Sequence, residues 1–565
     1  MKPSILTYPL TLSLLLSASI LAAQVKKSNK PLTEKGTKQE QPKGEITEEV
    51  EVVRPYKPIL ADAVKIRKSP DLTNNPTFKP VLIYTILDKK LALDSNIAPL
   101  QAQKLVEQKV ATPTNNYLKA AIGNFNTSQG ELYLNNGTDE ALQVGLSIKH
   151  LAQQGNIDKQ QFSHQTVSTF GRSIGTHTTL GGRVNYDRKQ VYFYGFDPNI
   201  ATAAVSPDQQ RFSLVEGNAE LLSNYAAGNR FSYKLNTNAY LFNDRFNAKE
   251  NNLTISTSLH QVVNKFNFGV HASLDLTNSK DITYSVNNHI TRINPNVQFQ
   301  ASDFILTLGL NIVQEQASQN RLNVLPAVNV VIPLASSYAS IFAGVNGDVI
   351  KTNLKSLSLE NPYLNQNIAI TNTIERLHIY GGIKGNMGHA FGFKATAFYK
   401  DIENMLLFQN NPSMVNRFDV VYDPGKSSLF GLDGELEIKA SDAFNLTGKA
   451  QINSYKMATE QEAWLKPNLC LESTLKVKIT KAFSLDASLT FAGETDAKVI
   501  DPLNSQTKSV KIDSFTDISA GAECRIVRNV RLYLRANNIL GKSYQQYLYY
   551  PKLGFNIFGG LNFSF

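Results

Sequence analysis

The sequence predicts an all-β protein, a transmembrane antiparallel β-barrel of about 22 strands, within a range of roughly 18 to 22, behind a short and mostly irregular N-terminal segment. Three observations predict it. The last eleven residues, Phe555 to Phe565, alternate: Phe555, Ile557, Gly559, Leu561, Phe563 and Phe565 are apolar or glycine, Asn556, Asn562 and Ser564 are polar, and Phe558 alone breaks the pattern. That is the period of a strand, and its length suits a tilted strand crossing about 30 Å of hydrocarbon. From about Asn116 onward similar runs follow one another, and their connections alternate between short and long.

The 565 residues are 42% hydrophobic and carry a net charge of +10. A barrel with a polar lumen has such a composition, because half of each strand faces water. No apolar run approaches the 18 or more residues of a membrane-spanning helix. The acidic and basic residues interleave, which argues against a nucleic-acid partner, since that needs a clustered basic face.

Met1 and Lys2 precede an apolar stretch from about Leu10 to Leu21 that ends in Ala22-Ala23-Gln24. This is the layout of a secretory signal peptide, read as residues 1–23. Residues 24–45 are rich in Lys and Gln and almost free of apolar side chains, which suits a disordered periplasmic tether. Residues 46–113 form a short periplasmic or lumen-occluding segment. It opens with Thr47, Glu48, Glu49, Val50, Glu51, Val52 and Val53, extended ahead of Pro55 and Pro58.

The barrel is read as 114–565. Leu142, Val144, Leu146 and Ile148 alternate with polar residues, as do Phe266, Phe268 and Val270, and later Leu471, Leu475 and Val477. Ala301-Ser302-Asp303, Ala440 to Ala443 and Thr480-Lys481-Ala482 are tight connections. Asp197 to Gln210, Lys351 to Asn367, Met457 to Lys466 and Glu494 to Lys508 are longer and irregular. Tight turns on the periplasmic side and longer loops outside are the layout of transmembrane barrels. No helix is expected after Asn116.

Cys470 and Cys524 fall on opposite strand phases, so no bridge joins them. The phase also sends Lys439, Lys449, Lys476, Lys478, Arg525, Arg531 and Arg535 to the lumen, facing Glu435, Glu437, Glu472, Asp517 and Glu523. Such charges either tune passage or pair and hydrate the lumen, and the second reading is preferred. Gly171-Arg172-Ser173-Ile174-Gly175 fits the Gly-x-Ser-x-Gly pattern, but that pattern works on a strand-to-helix turn and here it lies at a hairpin. The eight histidines show no ligand-type pairs, and no phosphate- or dinucleotide-binding fingerprint occurs, so no enzyme activity, metal or cofactor is expected.

About 450 residues resemble one family. Asn372-Thr373-Ile374-Glu375-Arg376, Phe398-Tyr399-Lys400-Asp401-Ile402-Glu403-Asn404 and Asn537-Asn538-Ile539-Leu540-Gly541-Lys542-Ser543-Tyr544 look like barrel stretches of TonB-dependent receptors. Phe555, Ile557, Leu561, Phe563 and Phe565 resemble the closing strand whose terminal aromatic is read by the outer-membrane insertion machinery. Thr47 to Val53 resembles a TonB box, which adds as a strand to its partner. The resemblance implies a bacterial outer-membrane barrel in lipid, with solute capture or passage as its role and TonB or another periplasmic protein as partner. It departs from the family in having too few residues ahead of the barrel for a normal plug domain. The alternative is a non-transporting scaffold subunit whose N-terminal segment docks a periplasmic protein. Barrels of this width keep a plugged lumen. The segment Ile59 to Val110 is the favoured occluder, ahead of inward-folded loops or a second protein.

Overall fold

The computed structural model describes residues 116–565, apart from 138–140, 197–206, 225–230, 318, 335–337, 388–389 and 502–503. The signal peptide, the tether, the segment 46–113 and the run Thr47 to Val53 lie outside the described residues.

The first strands are β1 (Tyr117–Gly123), β2 (Thr127–Asn135), β3 (Leu142–Gln154), β4 (Gln161–Ile174), β5 (Thr178–Tyr192), β6 (Gln209–Ser223), β7 (Phe231–Asp244), β8 (Lys249–Val263) and β9 (Phe266–Lys280). There follow β10 (Ser285–Asn287), β11 (His289–Gln300), β12 (Ile305–Gln316), β13 (Asn320–Pro333), β14 (Ala339–Ile350), β15 (Thr373–Met387), β16 (Phe391–Asn410) and β17 (Phe418–Ser441). The last are β18 (Phe444–Lys456), β19 (Leu469–Lys478), β20 (Phe483–Ala492), β21 (Thr495–Ile500), β22 (Thr507–Ile512), β23 (Phe515–Val527), β24 (Val530–Asn537) and β25 (Asn556–Ser564).

All pairings in the main sheet are antiparallel, between neighbours in chain order except β9 with β11 and β20 with β23, and β1 pairs with β25, from Tyr117 opposite Ser564 to Gly123 opposite Phe558, so the sheet closes. β10 and β11 both pair with β9 and serve as one interrupted strand, which makes a closed ring of 22 strands. Closure leaves no edge with unpaired backbone groups, the condition for a sheet in lipid. Glycine matters at the seam: a Cβ on Gly560 would stand 1.8 Å from the Ala120 carbonyl oxygen, and one on Gly123 2.3 Å from Phe558 Cβ.

Alternation decides which side of the wall each residue takes. Leu532 and Leu534 on β24, 48% and 50% exposed, and Leu561 and Phe563 on β25 stand on the outer surface. Phe558, which broke the pattern of the closing strand, is buried with Ala121 and Tyr533 on the inner face. Exposed Leu, Val, Ile and Phe recur on the outward files around the ring. A closed barrel with that outer surface has its low-energy state in a bilayer.

The two ends differ. The C-terminal end of β25 lies at the end closed by 264–265, 301–304, 388–390, 442–443, 479–482 and 528–529. The opposite end carries 193–208, 351–372, 411–417, 457–468, 493–514 and 538–555. Two details correct the sequence reading. A helix, α1 (Leu354–Glu360), occupies the connection where none was expected; Asn353 and Ser356 form a reciprocal capping box, and Leu354 and Leu357 are buried. So short a helix has too few turns to show periodicity, and only its cap was legible. The connection 493–514, expected to be irregular, contains the β21–β22 hairpin outside the ring.

Candidate functional site at the long-loop end

The connection 351–372 leaves β14 and is fastened first to the wall formed by β6, β8 and β9. Glu250 on β8 is fully buried and accepts from four donors: the backbone N–H groups of Leu354 (2.7 Å) and Lys355 (3.2 Å), Tyr240 Oη (2.8 Å) and Ser279 Oγ (2.6 Å). A carboxylate there satisfies the free N–H groups of α1 and suits the positive end of the helix. Lys355 Nζ reaches Glu216 on β6 (2.9 Å), and Lys351 Nζ reaches Asp275 and Thr277 on β9. Asn288 and Asn372 exchange side-chain hydrogen bonds (2.8 and 3.0 Å) and close the foot of the loop.

The same connection then crosses to β17. Phe418 N–H donates to the Tyr363 carbonyl (2.9 Å), Asn365 N–H to the Phe418 carbonyl (2.8 Å), and Asn365 Nδ2 to Asp419 (3.0 Å). From the neighbouring connection 411–417, Arg417 pairs with Asp208 (2.7 Å) and stacks over Phe193 and Phe246, 4.5 and 5.0 Å from the ring centroids. Asn416 Nδ2 donates to the Phe193 carbonyl (2.9 Å). Arg417 sits between β16 and β17 whereas Phe193 and Asp208 sit between β5 and β6, on nearly opposite sides of the ring. Loops of this one chain therefore meet across the mouth.

Tyrosines fill the meeting point. Tyr363 stacks on Tyr550 from the connection 538–555, with centroids 3.6 Å apart, and Tyr194 meets both rings edge-on at 6.1 and 5.0 Å. Tyr194 Oη and Gln160 Nε2 both donate to the Pro551 carbonyl (2.9 and 2.7 Å), Tyr550 Oη donates to the Asn416 carbonyl, and Tyr547 Oη to the Glu360 carbonyl. With Phe212, Phe242, Leu354, Leu357, Phe408 and Phe418 they make the largest apolar cluster of the described residues. Burial pushes the Tyr363 and Tyr550 phenols well above their usual range, so both are neutral.

Two further loops are pinned alongside. Glu360 accepts from Lys466 Nζ (3.1 Å), and the buried Trp464 donates through Nε1 to Glu460 (2.7 Å), which also pairs with Lys498 on β21 (2.8 Å). Buried Asp423 on β17 receives the backbone N–H groups of Ala458 (2.7 Å), Thr459 (2.9 Å) and Glu460 (3.2 Å). The whole is a cap of loops, held by aromatic packing and a few buried ions. The aromatic and ionic contacts that hold it are not ladder bonds of the barrel.

The lumen charges named from sequence stand apart from this cap. Glu435 lies opposite Lys449, which lies opposite Glu472; Lys476 lies opposite Asp486. Arg531 pairs with Glu523 (3.0 Å), Arg535 with Asp486 (3.1 Å), and Asp517 accepts from Tyr544 Oη (2.8 Å). Arg525 lies opposite Arg531, Glu437 opposite Thr447, and Lys439 and Lys478 are exposed beside the short connections 442–443 and 479–482. Cys470 and Cys524 are free. Gly171 to Ile174 run along β4, and Gly175 follows in the hairpin connection to β5. Sequence reasoning missed Tyr194, Tyr363, Tyr547 and Tyr550. The only signal was the crowding of tyrosine in Tyr544 to Tyr550, because the partners lie hundreds of residues away.

No family model matches the chain, and no curated protein does. Among solved structures it is similar to the FrpB iron transporter from Neisseria meningitidis, F3-3 variant, with a TM-score of 0.62 at 10% identity over 80% of this chain and 81% of that one. It is similar to the pyoverdine outer membrane receptor FpvA from Pseudomonas aeruginosa PAO1, with 0.61 at 13% identity over 80% and 78%. It is also similar to the siderophore receptor PirA from Acinetobacter baumannii, with 0.61 at 10% identity over 80% of each. The barrel thus has the fold of these receptors, the 22-strand fold of the TonB-dependent type.

Proposed function

We propose that the chain is a barrel of the bacterial outer membrane that captures a solute at its long-loop end and passes it inward, in the manner of TonB-dependent receptors. The observation that carries this reading is the cap itself, centred on Tyr363 and Tyr550, which closes the mouth with loops that can be displaced. The neighbours in fold are an iron transporter and siderophore receptors, which makes ferric chelates the first solute class to test. Thr47 to Val53 serves as the strand offered to TonB, or to another periplasmic protein in its place.

The test is binding and uptake of radio-iron-labelled chelates by cells with the chain, without it, and with residues 47–53 deleted. Capture and uptake with the intact chain, and capture without uptake in the deletion, are expected. If no chelate is retained and the intact chain is recovered with a stoichiometric periplasmic protein that the deletion loses, the scaffold reading takes its place.

A further inference from the structure

Charge is sorted across the wall on β5 to β9 near the long-loop end. The acidic residues there, Asp187, Glu216, Asp244, Glu250 and Asp275, belong to the inward files, where they hold loops and neighbouring side chains. The outward files carry cations near this end. On β8 the file reads Lys249, Asn251, Leu253, on β9 Lys280, Asn278, Leu276, and on β6 Arg211, Ser213, Val215. On β5 Arg188 follows Tyr186 directly, in phase with the exposed Leu180 and Val184. Arg245, in the connection after β7, donates to Gln209 Oε1 (2.6 Å) on the outward file of β6. Among the described residues no Asp or Glu lies on the outward files of these five strands.

The cations are neighbours. Arg188 stands opposite Ser213, one outward position from Arg211; Lys249 stands directly opposite Lys280. Two lysines opposite one another on one face repel, and an anion seated between them removes the repulsion. Each cation stands one to three outward positions beyond the last exposed apolar residue of its file, at the height of lipid headgroups, and five strands spaced about 4.8 Å apart spread the row over roughly 20 Å. The wall of β15 and β16 differs: there Arg376 is neutralised by Glu403.

We propose that this row, Arg188, Arg211, Arg245, Lys249 and Lys280, binds the phosphorylated disaccharide headgroup of lipid A. The acyl chains then lie against the apolar files below it. Basic residues grouped beside an apolar surface select anionic headgroups, and a row of this breadth matches a headgroup bearing more than one phosphate. The choice of lipid rests on the outer-membrane reading, which puts the long-loop end in the outer leaflet.

The test is native mass spectrometry of the purified, detergent-solubilised full chain titrated with bisphosphorylated lipid A, dephosphorylated lipid A or phosphatidylglycerol. The wild type is expected to retain the bisphosphorylated form over both others. Replacing Arg188, Arg211, Lys249 and Lys280 by Gln is expected to weaken that retention about tenfold to a hundredfold. Lys426→Gln with Lys456→Gln, on β17 and β18, is expected to leave it unchanged. Gel mobility before and after boiling reports folding, and if the fourfold variant fails to fold, Lys249→Gln with Lys280→Gln is read in its place. Equal retention of dephosphorylated lipid A or phosphatidylglycerol, unaltered binding in the variant, or an equal loss in the control overturns the proposal. Because the readout is in detergent, it does not depend on solute transport, and membrane fractionation tests the location separately.

Discussion

Tyr363 and Tyr550 stack with their centroids 3.6 Å apart and their planes 22° from parallel, although 186 residues separate them and they belong to the connections 351–372 and 538–555. Both are almost fully enclosed, and Tyr194 closes on them from a third connection. Truncating such a ring in a packed core costs about 3 to 5 kcal/mol. Tyr550→Ala is therefore expected to loosen the cap while leaving the barrel intact. Limited proteolysis of whole cells should cut 538–555 faster, with unchanged heat-dependent gel mobility; an unaltered cleavage rate would show that the stack does not hold the cap.

Glu250 is the latch of α1. Glu250→Ala removes the acceptor of four donors, and hydrogen bonds to a charged group contribute about 1.5 to 3 kcal/mol each. Faster hydrogen exchange is expected at Leu354 and Lys355, with Glu250→Gln intermediate because it keeps one carbonyl oxygen. Equal exchange in all three proteins would mean that the helix is held from its other side.

Alkali should open the cap. The raised Tyr363 and Tyr550 phenols stay neutral in the folded protein above the unfolded value of about 10, so their contribution is complete below that pH and declines as pH rises past it. Tyrosinate absorbance in detergent should show a late-titrating fraction, appearing together with protease sensitivity of the loops. A single titration near 10 with no late fraction would contradict the enclosure of these rings.

The outer surface is tested by Leu534→Arg. At the bilayer midplane an outward Arg costs about 2 to 4 kcal/mol, and less toward either interface. Arg531→Leu, on the inner file of the same strand, removes its pair with Glu523 in a wet lumen and should be milder. The folded fraction recovered from membranes checks the order, and equal damage would reverse the faces assigned to β24.

The cap also changes what is expected of the lumen. Deleting Ile59 to Val110 alone is expected to raise planar-bilayer conductance little, because the loops still meet across the mouth, whereas the deletion combined with Tyr550→Ala should raise it strongly. A large rise from the deletion alone would return the role of main barrier to that segment.

Sequence by itself determined the wall. A period of two assigns each side chain of a strand to lipid or lumen, so Leu534 and Arg535 could be sent to opposite faces before any neighbour was known, and the tight connections before Phe304, Phe444 and Phe483 set one end. It also placed the free Cys470 and Cys524 on different faces. Only the tertiary structure decided the cap and the basic row. Tyr194, Tyr363 and Tyr550 lie in connections with no periodicity, and closing the ring is what brings loops from nearly opposite walls within reach of one another. Arg188, Arg211, Lys249 and Lys280 each look like an ordinary strand-end charge, and only the register between strands sets them side by side. Alternation is a property of each strand alone, whereas loop packing and lateral charge arise between segments far apart in the chain, whose meeting depends on the closed sheet.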